Sequence, residues 1–92
     1  MPRSERAEPS VAPLAEACLG YLAENPEELL AFMQHAGLDP DTLRRSVGSP
    51  ALQSGLIDYF ASNEPILLAL CANSGLSPDQ FMRVWHRLNA TE

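Results

Sequence analysis

The chain has 92 residues, a formal net charge of −6 and two cysteines. That length makes one domain. The acidic balance counts against broad nucleic-acid binding, which needs basic side chains to displace counterions, and against anionic membrane surfaces.

Ala and Leu dominate and β-branched residues are few, which favours helix. Residues 1–10 are polar, Pro-containing and aperiodic, and are expected to form a disordered tail. They hold no apolar segment, so no secretory signal is expected. A first helix is expected from near Val11 to about Glu24, with Leu14, Cys18, Tyr21 and Leu22 inward. Gly20 sits inside it at a cost of up to about 1 kcal/mol relative to Ala, which points to close approach by a neighbouring helix.

Asn25-Pro26-Glu27-Glu28 reads as cap, Pro at the first position and Glu at the third, and opens a second helix that runs to Ala36. Leu29, Leu30, Phe32, Met33 and Ala36 give it a broad apolar face. Gly37-Leu38-Asp39-Pro40 then makes a corner: Gly ends one helix, Asp caps the next and Pro starts it. Leu38 is placed to pin both helices, against Met33 on one side and Leu43 on the other. A short third helix is expected from Pro40 to about Val47, with Leu43 and Val47 inward and an Asp41–Arg45 surface pair.

Gly48-Ser49-Pro50 repeats the stop, cap and start signals before a fourth helix to about Ala61. The fifth helix, about Glu64 to Ser74, is apolar almost all round and is expected to be the most buried element. A second corner, Gly75-Leu76-Ser77-Pro78, carries Gln80 at capping-box spacing from Ser77. The sixth helix runs to about Asn89, with Phe81, Val84, Trp85 and Leu88 on one face and Arg83, His86 and Arg87 on or near the other. Connections of two to four residues make neighbouring helices pack closely. The expected fold is all-α: a six-helix domain over residues 11–90.

The corners are part of a longer likeness. At an offset of 38 positions Leu14, Tyr21, Asn25, Leu29, Leu30 and Gly37 meet identical residues, and about a third of positions match between residues 14 and 47 and their counterparts. Two internally repeated helix–helix–short-helix units are therefore expected, about 12–47 and 50–88. Neither half is long enough to fold alone without metal or disulfide.

Few residues carry chemistry. Cys18, His35, Cys71 and His86 are not spaced as a metal site, and the cysteines, on apolar helical stretches, are expected to be buried free thiols. Ser49 and Ser77 sit where caps belong, without a nucleophile motif. The acids Glu27, Glu28, Asp39, Asp41 and Asp79 occupy helix first turns, where the helix dipole favours them. No catalytic, cofactor-binding or metal-ligating residue is assigned, and no enzyme is expected. The corner before the sixth helix has helix-turn-helix form, but Pro78, Asp79, Gln80 and Phe81 fill the turns where a recognition helix carries basic residues. Tyr21, Tyr59, Met82 and Trp85 are side chains of the kind that anchor protein interfaces. The candidate partner contacts are Met82, Trp85, Arg44, His86 and Arg87, where the two units differ or where the sixth helix faces outward.

YLAENPEELLAFMQHAGLDPDTLRR, a second apolar helix pair and SGLSPDQFMRVWHRL together resemble a small bacterial family known as domain of unknown function 3572. The resemblance covers roughly residues 11–88, carries no activity or ligand, and implies a cytoplasmic location. The expected function is a non-catalytic protein–protein interaction module, with a protein partner or a homodimer and no cofactor or membrane. A helix-turn-helix-like nucleic-acid binder is the alternative.

Overall fold

Proline stands at the first or second position of five of the six helices, where its missing N–H removes no intrahelical bond. The computed structural model describes residues 10–89. The helices are α1 (Val11–Ala23), α2 (Pro26–Ala36), α3 (Pro40–Ser46), α4 (Pro50–Ala61), α5 (Glu64–Ser74) and α6 (Pro78–Asn89), and no strand occurs among the described residues. α1 and α3 each stop one residue earlier than their sequence signals suggest. The tail expected over residues 1–10 lies, apart from Ser10, outside the described residues. The radius of gyration is 13.0 Å, near the roughly 12 Å of a compact chain of this length.

Local capping chemistry sets most boundaries. Asp39 accepts from the Thr42 N–H at 2.8 Å, and Ser49 accepts from the Leu52 N–H at 3.1 Å. Ser77 and Gln80 complete a reciprocal capping box: each backbone N–H donates to the other's side-chain oxygen, at 3.0 and 3.1 Å. The two glycine corners close alike. Gly37 and Gly75 take φ of 72° and 71°, where a side chain would be strained. The N–H of Leu38 then bonds back to the Met33 carbonyl at 2.9 Å, and that of Leu76 to Cys71 at 3.2 Å.

Asn25 and Asn63 behave differently from the N-caps their positions suggest. Neither side chain caps the helix ahead. Each Nδ2 instead donates to the helix behind, Asn25 to the Tyr21 carbonyl at 2.8 Å and Asn63 to the Tyr59 carbonyl at 2.7 Å. An amide offers donors as well as an acceptor, and the terminal carbonyls of α1 and α4 lack intrahelical partners. Asn89 makes the same bond to the Trp85 carbonyl at 2.8 Å.

The central element is α4, not α5. α4 packs against α1, α5 and α6 and buries five side chains, against four for α5. Its adjacent Tyr59 and Phe60 face different neighbours. Phe60, fully buried, meets the rings of Tyr21 on α1 at 5.9 Å and Phe81 on α6 at 6.5 Å. Tyr59 meets Phe32 and His35 of α2, both at 5.2 Å. α5 has no polar face to turn outward, so Leu68 stands 48% exposed. α2 is peripheral, as its acidic residues suggest: it buries only Phe32 and Met33, and leaves Leu30 56% exposed and Ala36 on the surface.

Three further expectations fail for geometric reasons. Val47 does not point inward. With φ −57° and ψ 129° it has left the helix, and Gly48 follows at φ 90° with the Ser49 N–H bonded to the Ser46 carbonyl at 2.8 Å. That is a type II turn, which holds its second residue outside, and Val47 is 55% exposed. Asp41 pairs with Arg44 at 3.6 Å and not with Arg45. A Cβ built on Gly20 would meet nothing within 4 Å, so among the described residues no neighbouring helix approaches it closely.

Candidate partner-binding face

α6 is the most strongly amphipathic part of the chain by its sequence, and its apolar face explains how it is held. Phe81 and Val84 are fully buried in the core, and Met82, Trp85 and Leu88 are partly buried against it. This leaves Arg83, His86, Arg87 and Asn89 exposed on the other side. Trp85 is fixed further by its indole Nε1–H, which donates to the Asp58 carboxylate of α4 at 2.9 Å. The His86 ring stands edge-on to the indole with centroids 5.0 Å apart. Asp58 has no capping or pairing role that its sequence context suggests. Its only signal was its place on the outer face of α4, and the partner 27 residues away could not be found by local pattern.

The five candidate contacts do not form one constellation. Met82, Trp85, His86 and Arg87 share α6, and Trp85 and His86 are in ring contact. Arg44 lies on α3 with its side chain 73% exposed, in an ion pair with Asp41. Met82 is partly buried rather than fully exposed, so it offers an edge, not a knob. Of the two tyrosines read as possible anchors, Tyr59 is buried in the core and Tyr21 packs edge-on against Phe60.

Electrostatics gives these groups little reactivity. Burial, reinforced by the neighbouring Cys71, pushes the Cys18 thiol from its ordinary 9.0 up to about 12. Burial also raises the Cys71 thiol, and both cysteines are free. A thiol is nucleophilic as its thiolate, so at neutral pH both behave as small apolar side chains. Burial, and then the charge of Glu28, raises the Tyr59 phenol. The bonds from the Thr42 backbone and side chain hold the Asp39 carboxyl below its ordinary value, as its capping role requires.

Among the described residues, no group of three or more His, Cys, Asp or Glu side chains could hold a metal ion. A cleft of about 320 Å³ at the α1–α2 junction is lined by Glu24, Asn25, Pro26, Glu27 and Glu28, without a nucleophile beside a base. Two other clefts lie along the outer side of α4. One of about 200 Å³ is walled by Phe32, Ala36, Leu38, Leu52 and Gly55, and the other, about 290 Å³, by Ser54, Asp58, Leu88 and Asn89 with Gly55 shared. No helix among the described residues is long and apolar enough to cross a membrane.

A family model described as "Protein of unknown function (DUF3572)" matches residues 7–91. No curated protein and no solved structure matches the chain.

Proposed function

The chain belongs to the DUF3572 family, and we propose that within it this protein is a non-catalytic protein–protein interaction module of the bacterial cytoplasm. The observation that carries the reading is the chain's large exposed apolar side chains. Leu30, Val47 and Leu68 are each about half exposed or more in a chain whose Phe32, Phe60 and Phe81 are completely enclosed. The core of an interface is built from apolar side chains of this kind. The α6 face adds Met82 and Trp85, partly buried and held by Asp58, beside exposed His86 and Arg87. Aromatic, Met and Arg side chains are enriched at interfaces.

The second part of the proposal is that the six helices are two copies of one three-helix unit. Supporting it are the matched corners, Gly37 with Gly75, and the matched junctions, where Asn25 (φ −132°, ψ 80°) and Asn63 (φ −127°, ψ 85°) share one backbone conformation and one backward hydrogen bond. Equivalent helices α1 and α4 pack together, and α1–α2 packing has its counterpart in α4–α5.

The interaction reading is tested by affinity capture from the native host with the wild-type chain and the Arg44→Glu/His86→Glu variant. Both positions are exposed, so melting temperature should hold within the small range of surface substitutions. The expected result is a protein retained by the wild type and lost by the variant. A wild type that retains nothing and stays monomeric at high concentration ends the reading. The helix-turn-helix alternative rests on α5, its corner and α6 with Arg83 and Arg87. Absence of binding to labelled DNA or RNA at low salt rejects it.

A further inference from the structure

We draw no further inference here: the strongest candidate, the open apolar cleft between α2 and α4 walled by Phe32, Leu38 and Leu52, carries nothing, because nothing in the structure shows what covers it.

Discussion

Side chains in this protein take their character from what surrounds them more than from their type. Cys18 and Cys71 carry the only thiols, and burial makes them core residues. The sign of the linkage follows. The folded chain holds the Cys18 proton up to about pH 12, while an unfolded chain releases it near 9. Above pH 9 the unfolded state therefore binds fewer protons, and stability falls as pH rises from about 9 to 12. Denaturant midpoints measured over that range should fall for the wild type. They should fall less steeply for Cys18→Ala, whose absolute stability is lower because of the cavity it leaves. Equal slopes would contradict the assignment of the shift to Cys18. Asn25 and Asn63 make the same point about type and surroundings. An Asn before Pro or Glu is read locally as a cap for the helix ahead, yet in both places the amide donates to the carbonyl four residues back. Sequence shows that an Asn is suited to a junction; whether it serves the helix before or after depends on the angle at which the chain leaves it.

At the level of elements, the corners are the best specified features. Their contacts close within a few residues: the glycine closes the helix, the leucine N–H bonds back, and Asp39 or Ser77 caps the next first turn. Such contacts, like the placement of proline in a first turn, depend on spacing alone, which is why the six helix starts and most of the ends could be read from sequence. Leu38 and Leu76 are packed against the core but only partly buried. A fully buried leucine would lose about 2–5 kcal/mol on truncation. For half-buried ones, Leu38→Ala and Leu76→Ala should each cost about 1–2 kcal/mol. Thermal melts unchanged by both substitutions would falsify the pinning role. α3 shows the limit of local reading. Leu43 and Val47 have helical spacing, but the type II turn at Gly48 rotates Val47 out of register with the core.

The whole molecule is organised by α4, and this decides where a mutation matters. Phe60 touches rings from α1 and α6 and has no exposed surface, so Phe60→Ala should cost about 3–5 kcal/mol. Leu68→Ala, on the helix expected to be most buried, should cost about 1 kcal/mol or less because about half of that side chain is already in water. Chemical denaturation of the two variants gives the comparison directly, and equal losses would remove α4 from the centre. The candidate site divides along similar lines. That α6 has an outward face with His86 and Arg87 followed from its periodicity, but Asp58 as the partner of Trp85 did not, because α4 and α6 meet only in the folded chain. The open cleft between α2 and α4 was likewise hidden, since its walls, Phe32 and Ala36 on one side and Ala51, Leu52 and Gly55 on the other, meet only in the folded chain. The sequence by itself determined the helical class, the six helices and their junctions, because capping, proline placement and glycine conformation act over three or four residues. Only the tertiary structure decided which helix lies at the centre, which leucines face water and where apolar surface is left uncovered. Those depend on how several helices divide one small core, and no stretch of sequence contains that division alone.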